Sequence, residues 1–369
     1  MTFDIDDFLT KSQQAHASDI HFNCNKIPIL RVNGEIYKIA TSPLTYDDIM
    51  YCLEKTLPKE YLIAHNLEYK EINDIDYIYE IKDVSRYRVN FCKDISGGKF
   101  TFRTIPYTVK SLAELSLPEY LGEFTKFNNG IVIVTGATGS GKSTTLASLI
   151  EIINQTRKCH IITIEDPVEF IYDDKKALIT QRSLDIDVKD FKTGIKYALR
   201  QDPDVILVGE IRDKATLLSA IEAAETGHLV FSTLHTNGTI ASIDRLTGFI
   251  DEVGQEDFRL RLASCVRAIV HQQLVPKKDN GKLTPAVEIL TFTPTVIDYV
   301  NEGKMHDLEL LMQRSKQPNL ITMNMSLYSL YEKGVISQET AMEFSLEKVE
   351  MNQMLKGMNK NLSAENNII

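Results

Sequence analysis

The sequence predicts an α/β protein in which a parallel-sheet domain follows a smaller α+β domain. The chain has 369 residues, more than the ~250–300 at which a single core stops growing, so we expect two domains. The first hundred residues contain short apolar runs separated by turn residues, which is typical of an antiparallel sheet. From Gly130 onward, wholly apolar strand-sized runs alternate with helical patterns, which indicates a parallel sheet covered by helices.

Composition and charge exclude several classes of protein. Apolar residues make up 43% and charged residues 25%, as in a soluble globular chain rather than a disordered or collagen-like one. Lys plus Arg number 41 and Asp plus Glu 51, and the net charge of −10 argues against a nucleic-acid binder. The five cysteines are scattered, which favours a reducing compartment, and none has the C-x-x-C spacing of a structural zinc site. No apolar run reaches the ~18–20 residues of a membrane span, and the N-terminus lacks a signal-peptide pattern, so we expect a cytoplasmic protein.

The first domain is predicted from turns and one helix. Turn signals follow or separate its extended runs, at Asn33-Gly34, Lys82-Asp83 and Ser96-Gly97-Gly98. A helix is expected over Tyr46–Leu57, because Pro58 ends it. Between Pro106 and Pro118 the periodicity is weak, which indicates a linker. We therefore predict a domain at 1–103, a linker at 104–117 and a second domain at 118–369.

In the second domain, buried strands alternate with helices. The predicted strands are Ile131–Val134, Cys159–Ile164, Val205–Val208 and Leu229–Phe231. Beyond Asp251 the pattern predicts mainly helix, with one apolar stripe through Phe258, Leu262, Val266, Ile269, Val270 and Gln273. A last helix is expected to use Leu327, Leu330 and Tyr331 and to stop at Gly334, followed by a polar tail over 352–369 that frays.

The segment from Gly136 to Ser143 matches G-x-x-x-x-G-K-S at every specified position, between a predicted strand and a predicted helix. Glycines let successive N–H groups point at phosphate oxygens, and the start of the helix adds positive charge. Lys142 is expected to reach the β- and γ-phosphates, and the Ser143 hydroxyl to bind Mg²⁺. The alternative is a glycine-rich turn with a chance lysine. The expected nucleotide-binding residues are Gly136, Ala137, Thr138, Gly139, Ser140, Gly141, Lys142, Ser143 and Thr144.

Two acidic segments follow predicted strands. Glu210 comes just after the Val205–Val208 strand, where open α/β sheets bind ligands, and it is a candidate for Mg²⁺ and for the attacking water. The alternative for Glu210 is a surface salt bridge. Glu165, Asp166 and Glu169 stand close together, and three carboxylates need a cation or an arginine to offset their repulsion. Their alternative is a solvated loop.

Taken in order, these motifs resemble the secretion ATPase superfamily, most closely the type IV pilus retraction ATPases (PilT-like). Besides the phosphate loop (Walker A), four segments carry the resemblance, namely Ser18–His21, Ile164–Glu169 (the Asp box), Asp204–Asp213 (Walker B) and Thr226–Thr236 (the His box). The N-terminal strands also match, over 86–90 and 102–106. The resemblance implies a RecA-like P-loop ATPase domain preceded by a smaller PAS-like α+β domain.

The resemblance also implies roles at matching positions. Glu210 orients the attacking water, while Glu165 and Asp166 help to organise Mg²⁺; the implied metal set is Ser143, Glu165, Asp166 and Glu210. His228 and His235 lie near the nucleotide and transmit its state. Arg88 and Arg103 act on the ATP of a neighbouring subunit in a homohexamer. The alternatives are strand-surface arginines and, for His228, a hydrogen-bonded core histidine.

The short N-terminal region and the lone Cys265 favour the retraction branch over the longer, zinc-containing assembly ATPases. One motif departs from that branch: where it has A-I-R-N-L-I-R-E, the stretch 295–302 has Ile297 and Asn301 at the arginine positions. The expected function is a Mg²⁺-dependent ATPase motor for pilus retraction and twitching. It would act at the inner face of the cytoplasmic membrane on an inner-membrane platform protein, its only link to the membrane. The alternatives are an accessory pilus ATPase paralogue, a type II or IV secretion-system ATPase, a RecA-like motor that depends on nucleic acid, and a nucleotide-binding structural subunit without turnover.

Overall fold

A computed structural model describes residues 3–32, 34–105, 107–279 and 281–365. Asn33 and Pro106, on which a predicted turn and the predicted linker depend, lie outside the described residues, as do residues 366–369 of the predicted tail. The chain forms two compact units. The first comprises 1–109, 164–173 and 181–190, and the second comprises 110–163, 174–180 and 191–369. The boundaries at 103 and 117 stay predictions.

The first unit contains a six-stranded antiparallel sheet with strand order β3-β2-β1-β6-β5-β4. Its strands are β1 Ala17–Asn23, β2 Ile29–Val32, β3 Glu35–Lys38, β4 Asp74–Ile81, β5 Ser85–Cys92 and β6 Lys99–Ile105. Its helices are α1 Ile5–Gln14, α2 Tyr46–Thr56 and α3 Lys59–His65, with a 3₁₀ turn at Tyr69–Glu71. The predicted small α+β domain with an antiparallel sheet is confirmed, while its PAS-like classification stays a prediction.

Capping and strand alternation explain these elements. Helix α2 begins with a capping box, in which Thr45 and Asp48 each accept a backbone N–H of the other, and it ends before Pro58 as predicted. Along β5 and β6 the aromatic residues alternate with polar ones, so that Tyr87, Phe91 and Phe102 are buried in the core. The polar residues between them therefore lie on the opposite, outer face of the sheet.

On that outer face, four charged residues form one row across neighbouring strands. The register pairs Arg31 with Asp19, Asp19 with Arg103, and Arg103 with Arg88. Like charges directly opposite each other are destabilising unless a carboxylate offsets them. Arg103 has such a partner, since its Nε donates to Asp19 Oδ1 at 2.9 Å. We call these four residues the arginine row.

The second sheet has eight strands in the order β14-β13-β12-β7-β11-β10-β8-β9. They are β7 Gly130–Thr135, β8 His160–Glu165, β9 Leu178–Ser183, β10 Val205–Val208, β11 Leu229–Leu234, β12 Val266–Pro276, β13 Leu283–Thr291 and β14 Leu320–Ile321. Strands β12, β7, β11 and β10 are parallel neighbours, which confirms the predicted parallel sheet. The strands β7, β10 and β11 are buried at every position, as the wholly apolar predicted strands require.

Ten helices accompany the described part of this sheet. They are α4 Lys142–Thr156, α5 Phe191–Ala198, α6 Lys214–Glu225, α7 Thr239–Thr247, α8 Gln255–Cys265, α9 Pro294–Asn301, α10 Met305–Arg314, α11 Met323–Glu332, α12 Gln338–Phe344 and α13 Lys348–Glu365. Two 3₁₀ segments lie at Glu119–Lys126 and Glu252–Gly254. None of the helices that the structure describes is both long and apolar enough to cross a membrane.

The predicted helical stripe beyond Phe258 is half wrong. Helix α8 ends at Cys265, and the chain from Val266 to Pro276 is strand β12, between β7 and β13. Because β12 is buried on both faces over most of its length, its apolar residues recur without strict alternation. Such a run cannot be distinguished from a buried helix by periodicity alone, although its β-branched residues favour a strand.

The C-terminal helices cover the end of this sheet. Helix α11 is followed by Gly334 with a φ of +70°, close to the predicted stop, but it is not the last helix, because α12 and α13 follow. Residues 352–365 of the predicted frayed tail belong to α13. A second core joins these helices to β12 and β13, and its buried members are Val275, Ala286, Met323, Leu327, Ile336, Ala341, Met351 and Leu355.

Candidate functional site

The phosphate loop lies between β7 and α4, as predicted. Gly136 and Gly141 both have positive φ, at +142° and +88°. A Cβ at Gly136 would collide with the carbonyl oxygen of Gln272, and one at Gly141 would lie 2.7 Å from Gln272 Nε2. Glycine is therefore required at these two positions both by the backbone conformation and by the close approach of β12.

Two polar side chains of this loop are buried. Lys142 is only 8% exposed, and its Nζ donates to Gly136 O and Ala137 O, both at 2.9 Å. Burial lowers the pKa of the Lys142 ammonium, and the negative charge of Glu210 opposes that shift. The Ser140 hydroxyl is buried without a hydrogen-bond partner. A cationic side chain, an unpaired hydroxyl and a helix start without a side-chain cap together fit an anionic group such as a phosphate.

Glu210 lies two residues beyond β10, at the carboxyl edge of the same parallel strands. Its side chain is largely buried and has two basic neighbours, with Oε1 at 2.5 Å from Arg212 Nη2 and Oε2 at 3.4 Å from His235 Nε2. His235 directly follows β11, the strand between β10 and β7. The structure therefore brings Glu210 and His235 together, and Glu210 acts electrostatically on Lys142. Arg212 was not among the predicted site residues.

The structure does not bring His228 to this group, and the expectation that it lies near the nucleotide stays a prediction. It precedes β11, and its carbonyl accepts from Gly130 N at the start of β7. The phosphate loop follows the other end of β7, about 20 Å away along a six-residue strand. The His228 ring instead donates from Nδ1 to Ala223 O at 2.8 Å. His228 is half-buried, so it is hydrogen-bonded without being part of the core.

The acidic segment after β8 belongs to the first unit and is held by arginines of β5. Arg86 is buried, and its guanidinium donates to the carbonyls of Val168 and Glu169. Arg88 Nη1 lies 3.5 Å from Glu169 Oε1. Arginine charge thus offsets part of the carboxylate repulsion expected from the sequence. Glu165 and Asp166 are half-buried, and their roles at Mg²⁺ stay predictions.

Arg88 and Arg103 lie side by side in the arginine row, because they are directly paired between β5 and β6. The Arg103 side chain is 59% exposed and that of Arg88 37% exposed. Their direct pairing follows from the strand register, since they are 15 positions apart along the chain. Their proposed action on a neighbouring subunit stays a prediction.

The residues present fit a divalent cation that arrives with a nucleotide. Ser143 is exposed in the first turn of α4, where its hydroxyl is available as a ligand. Within the described residues, no three His, Cys, Asp or Glu side chains lie close enough to hold a metal ion by themselves. Mg²⁺ prefers oxygen ligands and is usually bound through few side chains together with substrate phosphates, which agrees with both observations.

Sequence reasoning missed Gln272, which lies against the loop from β12. Its Nε2 donates to Ser140 O at 2.6 Å, and its Oε1 accepts from Thr145 Oγ1 at 2.7 Å. The predicted helix through this stretch concealed it, because only strand pairing with β7 brings Gln272 beside the phosphate loop. Arg86 was missed for a similar reason, since its partners lie over 80 residues away in the chain.

The fold and the site together define a P-loop nucleotide-binding protein with a RecA-like domain. A family model described as type II/IV secretion system protein matches residues 3–355. The chain therefore belongs to the type II/IV secretion system protein family, as the order of its motifs predicted.

Individual relatives sharpen this result. The type IV pilus retraction ATPase PilT of Pseudomonas aeruginosa is 36% identical over 340 residues, which cover 92% of this chain and 97% of that protein. A twitching motility protein of Neisseria gonorrhoeae is 38% identical over 316 residues, covering 85% of this chain and 83% of that protein. The crystal structure of the pilus retraction motor PilT with bound ADP matches with a TM-score of 0.86 at 35% identity, covering 95% of this chain and 99% of that one. The predicted resemblance to PilT-like secretion ATPases is confirmed.

Proposed function

We propose that this protein hydrolyses ATP with Mg²⁺ and uses the energy as the motor of type IV pilus retraction. The observation that carries the proposal is the grouping of Lys142, Glu210 and His235 at the carboxyl edge of one parallel sheet, beside a phosphate loop with a buried, unpaired Ser140 hydroxyl. The relatives that are similar over most of the chain are retraction and twitching proteins, which supports the pilus as the machine.

The chain's own residues divide the chemistry among them. Loop N–H groups and Lys142 bind the β- and γ-phosphates, and Lys142 leaves the carbonyls of Gly136 and Ala137 to do so. Glu210 orients the attacking water, and its contacts with Arg212 and His235 hold the carboxylate in one orientation. When bound, Mg²⁺ neutralises phosphate charge, with Ser143 as a protein ligand and Glu165, Asp166 and Glu210 organising its surroundings.

Exposed arginines support an assembly in which one subunit completes the site of another. Arg88 and Arg103 face outward from the first unit, each in an ion pair with a carboxylate, and such a pair at an accessible surface can be exchanged for the γ-phosphate bound by a neighbouring chain. The proposed assembly is a homohexamer. In it, the domain at 1–103 moves against the domain at 118–369 around the linker at 104–117, so that nucleotide binding is converted into mechanical work.

The partner proposed for this ring is a platform protein in the cytoplasmic membrane, contacted from the cytoplasmic side. The net charge of −10 argues against the alternative of a nucleic-acid motor. The second candidate function is that of an accessory pilus ATPase. It is favoured by α9, where Ile297 is half-exposed and the Asn301 Oδ1 is buried without a partner, at the two positions that are arginine in the family motif.

The site assignment is tested by phosphate release from the purified protein. Lys142→Ala removes the charge that clamps the phosphates and should abolish turnover, whereas Lys126→Ala, which removes an exposed lysine of a local ion pair, should not. Near wild-type turnover in Lys142→Ala would refute the assignment. Strong stimulation of the wild type by DNA or RNA would favour the nucleic-acid motor instead.

Deletion of the gene tests the biological role. Surplus surface pili with lost twitching would support retraction, whereas absence of pili would indicate assembly. Normal pili with weakened twitching would favour the accessory paralogue.

A further inference from the structure

Gln272 occupies a position from which one side chain contacts both the phosphate loop and the helix that follows it. It lies on β12 next to the end of β7 and is only 2% exposed. Its amide nitrogen donates to the carbonyl of Ser140 within the loop, and its amide oxygen accepts from the hydroxyl of Thr145 in the first turns of α4. An amide can donate at one end and accept at the other, so both hydrogen bonds depend on glutamine in particular.

The glycines of the loop are matched to the same residue. At Gly136 the space for a Cβ is filled by the main-chain carbonyl of Gln272, and at Gly141 it is filled by the amide nitrogen of its side chain. By contrast, a Cβ at Gly139 would meet nothing within 4 Å. Two of the three loop glycines are thus shaped by contact with Gln272.

The neighbouring residues of β12 belong to the other face of the strand. Gln273 is half-buried, and its side chain contacts the ring of His271 at 3.2 Å rather than the loop. Successive strand residues point to opposite faces, so Gln273 has the same chemistry in the same strand without access to the phosphate loop. It is therefore a matched control for Gln272.

We infer that Gln272 is a positioning residue for the phosphate loop, an inference that rests on the proposed nucleotide site. By fixing Ser140 O relative to Thr145 Oγ1, the amide holds the loop in the curled shape in which its N–H groups converge on phosphate before the nucleotide arrives. Preorganisation of this kind raises affinity because the loop loses less freedom on binding. Gln272 itself does not contact the reacting atoms.

The test compares nucleotide affinity and kinetics of the full chain. Gln272→Leu removes both hydrogen bonds at similar size, and we expect the Kd for ADP with Mg²⁺ and the KM for ATP to rise together about tenfold, with kcat changed less. Thr145→Val breaks one of the two bonds and should give a smaller loss. Gln272→Leu already removes the hydrogen bond that Thr145→Val breaks, so the double variant should bind ADP no more weakly than Gln272→Leu alone.

Gln273→Leu is the control and should bind ADP within about twofold of the wild type. An unchanged Kd in Gln272→Leu, or an equal loss of affinity in Gln273→Leu, would overturn the inference.

If Gln272→Leu does not fold, the isosteric Gln272→Glu replaces it. This variant keeps the acceptor for Thr145 but loses the donor to Ser140 O, and its affinity for ADP should fall at least as far. If both Gln272 variants are unfolded, Thr145→Val is the remaining test. Weaker ADP binding by folded Thr145→Val supports the inference, whereas wild-type affinity would overturn it and mean that the two hydrogen bonds of Gln272 serve folding alone. Failure of the wild type to bind ADP would refute the proposed function, whereas wild-type binding with unaffected variants would refute only this inference.

Discussion

Lys142 and Glu210, at the carboxyl edge of the second sheet, are buried and in contact with several polar groups. Arg88 and Arg103, on the outer face of the first sheet, are more exposed and pair with the carboxylates of Glu169 and Asp19. A buried charge is tolerated only when several groups satisfy it, because removal from water costs several kcal/mol. An exposed ion pair contributes about 0–1 kcal/mol and is easily exchanged. The buried charges are thus committed to one site, while the arginines remain available for another partner.

The largest effect is expected at the buried carboxylate. Glu210→Gln keeps the size of the side chain but removes the charge that orients water, so kcat should fall about 100- to 10,000-fold. Phosphate release measures turnover, and ADP titration should show binding close to that of the wild type. Glu225→Gln, which changes a carboxylate paired with Arg261 at the surface, is the matched control. Turnover in Glu210→Gln within threefold of the wild type would contradict the role.

Arg86 and Arg88 allow the same comparison within one strand. Arg86→Ala leaves the carbonyls of Val168 and Glu169 without their donor and should lower the free energy of unfolding by about 2 kcal/mol. Arg88→Ala breaks a partly exposed ion pair and should lower it by less than about 0.5 kcal/mol. Urea titrations followed by circular dichroism provide the measurement. Equal decreases in the free energy of unfolding would mean that the greater burial of Arg86 does not make it more important for stability than Arg88.

The arginine row gives the next effect. Arg88→Ala and Arg103→Ala should each lower turnover at least about tenfold, because transition-state charge loses its guanidinium, while ADP affinity stays unchanged. Arg31→Ala, in the same row but farther from Arg88, is the control. Mixing Arg103→Ala subunits with Lys142→Ala subunits should restore part of the activity, since an intact loop can then meet an intact arginine from another chain. Absence of any recovery would argue against action between subunits.

The smallest effect concerns pH and the buried His271. Burial lowers the pKa of His271, with the charge of Glu288 opposing the shift and that of Lys142 assisting it. Below the unfolded pKa of about 6.5, the unfolded chain then binds more protons than the folded one, so stability falls as pH decreases from there toward the folded pKa. From pH 7.5 to 5.5, the wild type should therefore lose more stability than His271→Gln. Urea titrations at several pH values measure the stability of both proteins. The same pH dependence in the wild type and in His271→Gln would contradict this role of His271.

Much of the fold, and the positions of the phosphate loop and Glu210 within it, could be predicted from local sequence. Local sequence patterns predict the elements whose residues are close together in the chain. These are the phosphate loop, the buried strands β7 and β10 and the hairpins of the first sheet. Glu210 was predictable because it follows an apolar strand, and strand ends meet at one edge of a parallel sheet.

What local sequence did not indicate depended on strand pairing between distant segments. Strand β12 is buried on both faces, so its pattern suggested helix, and with it Gln272 was lost as a partner of the phosphate loop. His228 and His235 belong to one motif, but a strand of six residues separates them and places them at opposite ends of the sheet. The neighbourhood of Arg88 and Arg103 likewise follows from the register of β5 and β6.

The core between the C-terminal helices and the second sheet also sets a lower limit on the length of any working fragment. All recognised nucleotide motifs end by Thr236, which invites truncation soon after β13. Such a fragment would expose Val275 and Ala286, the apolar residues that Met323, Leu327 and Leu355 now cover. Glu288 accepts hydrogen bonds from the N–H of Thr239, at the start of α7, and from the N–H of Met323. The fragment would lack the second of these two hydrogen bonds. A soluble nucleotide-binding fragment of this protein should therefore extend at least to Leu355.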